Sequence, residues 1–277
     1  MTFSMPCPVS LLRAFLLGSV LSLSPAWAAA GPVDCGQRPI TLAYFDFGYQ
    51  YYEQDGLGHG IDKDLVDELA QRTGCQFSTE VLPRARVWAE LASGSLDMSV
   101  AGIQNPERDR FAWFAPYERA KNYAVLRLAT AATVHQRGDF LAQNGLQFGV
   151  VRGFKHGDEL DQWLEPLRQA QRVQESASVN QLVEKLKLKH IDGLFAQPAV
   201  YRKLLLDHQM EDVVALQDWA PQDKGVIGSL ILSKSRFSRV EAARWQALMQ
   251  ELKRDGTLAR IFRRYVSAEE TRKMLDF

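Results

Sequence analysis

Residues Ile40–Leu82 read ITLAYFDFGYQYYEQDGLGHGIDKDLVDELAQRTGCQFSTEVL. ITLAYF has strand composition, GIDKDLVDELAQRTG carries apolar residues at helical spacing and closes on Gly74, and QFSTEVL is a second strand pattern. Strands joined by a helix lie parallel in one sheet, so the stretch predicts a β-α-β unit and an α/β fold. Both strands then begin on the same edge. Cys35 precedes the first and Cys75 immediately precedes the second, so the sulfurs are expected to meet as a disulfide in an oxidising compartment.

Toward the N-terminus, residues 1–30 carry a single charge, Arg13. An apolar core over Ala14–Leu23 and the small-residue run Ala26-Trp27-Ala28-Ala29-Ala30 give the pattern of a secretory signal peptide. Neither Cys7 nor Cys35 sits in a lipid-attachment context, so a freely soluble exported protein is expected. The whole chain has 33 Lys and Arg against 33 Asp and Glu. This balance argues against nucleic acid or an anionic membrane surface as the main partner.

Toward the C-terminus the alternation continues. A helix is expected over Ala85–Ala92, a buried strand at LDMSVAG, a short helix within Ile103–Tyr117 and an extended segment over Asn122–Ala129. A second series runs from QFGVV through RGFKHG, DELDQWLEPLRQA, QRVQESAS, VNQLVEKLKLKH and IDGLFAQ to a helix over Pro198–Leu206. Val226–Ser233 is again extended, and Arg239–Tyr265 is helical with a break at Asp255-Gly256. Two such series joined by two extended segments predict two lobes with two hinge crossovers and mostly parallel sheets. Residues 31–125 and 226–277 form lobe one in this reading, and 126–225 lobe two. Ligands of open α/β sheets sit outside the carboxyl ends of the strands, which here face one cleft.

Three stretches can line that cleft. The first loop holds Tyr44, Phe45, Phe47, Tyr49, Tyr51 and Tyr52, enough for a stacking wall. In IQNPERDRFAWFAPY, Asn105 is a good N-cap and Pro106 suits the first helical position, but Arg108 opposes the helix dipole. It is either a solvated surface residue, ion-paired with Asp109 or another carboxylate, or a guanidinium that expects something negative nearby, such as a carboxylate on its fork. The turn RGFKHG places Arg152, Lys155 and His156 before another helix start. Phosphate-loop and dinucleotide glycine patterns are missing, as are HExxH, GxSxG and CxxC, so the sequence names no catalytic or metal set and no cofactor.

Three segments, DGLGHGIDKDLVDELAQRTG, ASGSLDMSVAGIQNPERDRFAWFAPY and ALMQELKRDGTLARIFRRYV, resemble in order the family 3 extracellular solute-binding proteins, periplasmic receptors of polar amino acid importers. The resemblance implies a type II periplasmic-binding-protein fold, location in the periplasm, and delivery of a solute by a monomer to an ABC permease or a sensor kinase. It also implies roles: Arg108 clamps the ligand carboxylate, Asn105 stands at the family's small hydroxyl position, and Tyr49 packs over the ligand. Departures follow. Gln197 stands where the family has an Asp for the α-ammonium group, and Phe154 and Lys155 replace a pair of threonines. An amide cannot neutralise a buried cation, so these changes favour an anionic or non-amino solute. An alternative is an enzyme resembling the cyclohexadienyl dehydratases, with His156, Glu53 or Asp46 as acid or base. A further alternative is an accessory protein whose Arg108 is tied up by a protein carboxylate such as Asp109.

Overall fold

The computed structural model describes residues 1–3 and 32–277, so the signal peptide expected over 1–30 lies, beyond its first three residues, outside the described residues. The chain opens with β1 (Ile40–Tyr44), a hairpin of β2 (Tyr52–Gln54) and β3 (Leu57–His59), and helix α1 (Ile61–Thr73). Then come β4 (Phe77–Val81), α2 (Arg84–Ser93), β5 (Met98–Ile103), a 3-10 turn at Arg108–Arg110, and β6 (Ala112–Ala120). The chain crosses over through β7 (Tyr123–Arg127) to short α3 (Leu128–Ala131) and α4 (Arg137–Ala142). Next are β8 (Phe148–Val151), α5 (Asp158–Gln169), β9 (Val173–Ser176), α6 (Val179–Lys187) and β10 (Gly193–Ala196). Helix α7 (Pro198–Asp207) and β11 (Val214–Gln217) precede the return strand β12 (Val226–Ser233). Three helices close the chain: α8 (Arg239–Arg254), α9 (Thr257–Phe262) and α10 (Ala268–Met274).

Two five-stranded sheets result, ordered β4-β1-β5-β12-β6 and β11-β7-β10-β8-β9. The β-α-β unit of Ile40–Leu82 is present, with β1 parallel to β4 and to β5. Both sheets are mixed. β12 runs antiparallel to β5 and β6, and β7 runs antiparallel to β10 and β11. A strand entering by a crossover comes from the far side of the molecule, which reverses its direction relative to the β-α-β strands.

One core runs from the first sheet into the second lobe, and the second sheet adds an aromatic core of its own. In the first, Ile40 and Leu42 pack with Leu65 and Leu69 of α1, Met98 of β5 and Trp245 of α8, all fully buried. In the second, Phe140, Phe148, Trp163, Phe195 and Trp219 cluster, with Phe148 4.6 Å from Phe195 and 5.0 Å from Trp163. Arg172 locks this lobe: its Nε donates to the Leu146 carbonyl, Nη1 to that of Leu141, and Nη2 to those of Phe140 and Gln143. Helices stop where the sequence puts glycine, α1 at Gly74 (φ 74°) and α2 at Gly94 (φ 79°).

Three local features differ from the sequence reading. The short helix expected within Ile103–Tyr117 is only a 3-10 turn, and Ala112 starts a strand that tolerates Pro116 because it lies at the sheet edge. The β2–β3 hairpin turns at Asp55-Gly56, both at positive φ. β11, not expected from the sequence, pairs with β7.

Cys35 and Cys75 form a disulfide that ties the segment before β1 to the end of α1. Replacing both by Ser is expected to lower unfolding free energy by roughly 2–4 kcal/mol, measured by urea denaturation. An unchanged midpoint would show that the bridge constrains nothing that the sheet does not already hold.

Candidate functional site

The lobes meet where the turn 152–156 of the second sheet's lobe docks on the first turns of α2. Gly153 sits at φ 78°, and a Cβ there would stand 3.5 Å from the Ala85 Cα and 3.6 Å from Trp88. Nearby, the first loop docks on the start of α7, where the Tyr49 N–H donates to the Ala199 carbonyl at 2.8 Å. Gly48 makes that approach possible, since a Cβ would fall 2.6 Å from the Val200 Cα.

Arg108 lies in this seam, 6% exposed. Its backbone N–H donates to Asn105 Oδ1 at 2.9 Å, so Asn105 caps the turn as its sequence position suggests. The guanidinium lies 3.7 Å from the Trp88 ring centroid. Nη1 donates to the Ile103 carbonyl at 2.6 Å and Nη2 donates across the seam to the Gly153 carbonyl at 2.8 Å. Among the described residues no carboxylate lies within ion-pairing distance of it; Asp109 instead accepts from Gln104 Nε2. Loss of hydration pushes the Arg108 pKa down to about 10, which leaves it charged at neutral pH.

Arg84 is a second buried guanidinium that sequence reasoning missed. At 2% exposure it lies 4.2 Å from the Phe45 ring and 4.7 Å from the Phe154 ring, so side chains from both lobes cover it. Nη2 donates to the Ala101 carbonyl at 2.8 Å, while Nε and Nη1 have no partner among the described residues. Desolvation, helped by Arg108, lowers its pKa to about 9. The only signal in the sequence is PRAR at a helix start, which also describes a solvated first turn.

Beneath Arg84 is a buried polar cluster. The Tyr117 hydroxyl accepts the Ala101 N–H and donates to Asp62 Oδ1, and Gln50 Nε2 donates to Glu118 Oε2 at 2.7 Å. Burial raises Asp62 well above the usual carboxylate range and raises Glu118 to about 7.

The remaining sequence candidates are distributed around the seam. Phe154 packs 5.4 Å from Phe47. Phe47 in turn walls a cavity of about 250 Å³ lined also by Phe45, Asp46, Arg84 and Ser178, which Phe154 does not itself line. Lys155 and Asn105 line a separate groove of about 390 Å³ with Glu107, Asp158 and Asp161. Tyr49 lines a third, of about 720 Å³, with Tyr201, Arg202 and Tyr265. Gln197 is buried at the start of α7, and its amide makes no hydrogen bond to the described residues.

Acid–base candidates do not converge. His156 is buried behind Phe154 with Nδ1 3.1 Å from Asp161 Oδ1, Glu53 is exposed on the β2–β3 hairpin, and Asp46 lies on the cavity wall. Among the described residues no group of three or more His, Cys, Asp or Glu could hold a metal ion.

The sequence matches bacterial extracellular solute-binding proteins, family 3, over residues 43–268, and the chain belongs to that family. It is a family of binding proteins, not enzymes. No curated protein sequence matches the chain. Among solved structures the fold is similar to the arginine-, lysine-, histidine-binding protein ArtJ from the thermophilic bacterium Geobacillus stearothermophilus, with TM-score 0.69 and 18% identity over 82% of this chain and 95% of that one. An ABC uptake transporter substrate binding protein from Streptococcus pneumoniae with bound histidine gives 0.69 and 18%, over 82% and 92%. A histidine kinase sensor domain with similarity to periplasmic binding proteins gives 0.69 and 13%, over 83% and 96%. These likenesses are of fold.

The buried carboxyls set a pH dependence. A carboxyl whose folded pKa is raised stabilises the fold fully below its unfolded pKa and loses that contribution as pH rises through the folded value. Glu118 therefore contributes a fall in stability between its ordinary value near 4.5 and about 7. Glu118→Gln is expected to flatten that part of the stability–pH curve in urea titrations. An unchanged slope would mean the Glu118 carboxyl titrates normally.

Proposed function

We propose that this chain is a periplasmic receptor that captures a small carboxylate-bearing solute between its lobes and delivers it to an ABC permease. Arg108 carries this reading: a buried, charged guanidinium held by two neutral carbonyls, one on each side of the seam. A carboxylate is the stronger acceptor for that fork, because both partners are charged. Entering the seam, it would displace the Gly153 carbonyl from Nη2 and take bidentate hydrogen bonds. Arg108 and Asn105 then act from lobe one (31–125 with 226–277), and Phe154 with the turn 152–156 acts from lobe two (126–225). The extended segments Asn122–Ala129 and Val226–Ser233 expected as hinges are largely β7 and β12, each held by strands on both sides, so the lobes would open about the connections that precede them, residues 121–122 and 218–225, and a monomer suffices for this cycle.

Gln197 offers no charge for an α-ammonium group, which favours organic acids over ordinary α-amino acids. Lys155 shares its groove with the carboxylates of Glu107, Asp158 and Asp161, so it adds no net positive charge there. Similarity to a sensor-kinase domain supports a second reading, in which the same receptor reports its solute to a membrane sensor.

A thermal-shift screen of the mature protein against amino acids, keto acids, monocarboxylates and dicarboxylates tests the proposal. At 100 times Kd a genuine solute stabilises by roughly 2.7 kcal/mol. Arg108→Ala is expected to abolish the shift. A hit that persists in Arg108→Ala would remove Arg108 from the site.

A further inference from the structure

One feature of the seam is not used by a single carboxylate on Arg108. The cavity of about 250 Å³ is walled by Phe45, Phe47 and Arg84 from one lobe and by Ala177, Ser178 and Val179, at the start of α6, from the other. Two observations point toward an anion. Arg84 lines the cavity, and its buried Nε and Nη1 have no hydrogen-bond partner among the described residues, in contrast to Arg172, another buried arginine, whose three nitrogens all donate to carbonyls. Opposite it, α6 presents its first turn. Ser178 Oγ accepts only the Gln181 N–H, and the amides of Val179 and Asn180 have no backbone acceptor.

Arg84 and Arg108 belong to one seam. They dock on adjacent residues of the same turn, Arg84 against the Phe154 ring and Arg108 on the Gly153 carbonyl. Val81, Leu82 and Val151 supply apolar edges to the cavity, and Gln181 and Asp46 are its polar side chains besides Arg84 and Ser178. Burial raises the pKa of Asp46, and the nearby Lys203 is already paired with Asp207 at 2.8 Å, so an incoming carboxylate must sit on the Arg84 side, away from Asp46.

We propose that this cavity receives a second carboxylate, so that the receptor selects dicarboxylates with a hydrocarbon body: one carboxylate on Arg108, the other between Arg84 and the N-terminus of α6. The assignment rests on the Arg108 reading and adds Arg84 and Ser178 as specificity-determining positions. It also accounts for a neutral Gln197, because such a solute brings no ammonium group to be neutralised.

Titration calorimetry on the mature chain tests it with matched pairs: adipate against hexanoate, and terephthalate against 4-methylbenzoate. In at least one pair the dicarboxylate is expected to bind about tenfold or more tightly, as one additional charge-assisted anchor requires. Arg84→Met should collapse that ratio toward one. Ser178→Asp keeps a good N-cap while placing a carboxylate on the cavity wall, and should penalise the dicarboxylate selectively even if Arg84→Met does not fold. Equal affinity within both pairs, or a ratio that survives Ser178→Asp, overturns the dicarboxylate assignment and leaves the Arg108 reading standing. If none of the four acids binds, the dicarboxylate assignment falls, and the Arg108 reading is decided separately by the wider thermal-shift screen.

Discussion

A guanidinium taken out of water must be hydrogen-bonded, and without a counter-charge it remains a cost of several kcal/mol. Arg108 is in that state. Its fork is occupied by the Ile103 carbonyl at the end of β5 and by the Gly153 carbonyl of the other lobe, so the same side chain both bears the unpaired charge and joins the lobes. Any anion that enters the seam meets a donor pair already aimed and desolvated. It replaces a neutral acceptor with a charged one and keeps contact with both lobes, which is the condition for binding to favour the closed arrangement.

The surrounding structure serves to hold that fork. Helix α2 carries Arg84 and Trp88 one turn apart, so one guanidinium and one indole face the turn 152–156 together. Gly48 lets the first loop approach α7, and Gly153 supplies the positive φ that the turn facing α2 adopts. Below Arg84, the carboxyls of Asp62 and Glu118 are held toward their neutral forms by burial, which leaves the positive charge of Arg84 only partly compensated. The seam therefore holds two buried guanidiniums without a full counter-charge, although the chain as a whole is neutral.

Much of this was legible in the sequence where the cause is local. Cys35 and Cys75 could be paired because a β-α-β unit puts both strand starts on one edge. Arg108 stood out because a cation at a capped turn after a buried strand has no local reason to be there. Arg84 was not legible, because its burial comes from Phe154, remote in sequence and in the other lobe. The aromatic loop was legible as a wall but not in its orientation. The hairpin at Asp55-Gly56 and the docking on α7 turn Phe45 and Phe47 to the cavity while Tyr49 faces the groove with Tyr201 and Tyr265. Strand β11 was missed because its four residues make up an edge strand in which two of them are only partly buried and one is exposed.

The most direct measurement is a crystal structure of the mature protein with the first carboxylate solute that stabilises it in solution. The account requires a carboxylate oxygen on the Arg108 fork at ordinary charge-assisted distance, about 2.7–2.9 Å, with the Gly153 carbonyl displaced from Nη2 and both lobes touching the solute. A solute bound elsewhere, with the bonds from Arg108 to Ile103 and Gly153 intact, would contradict it.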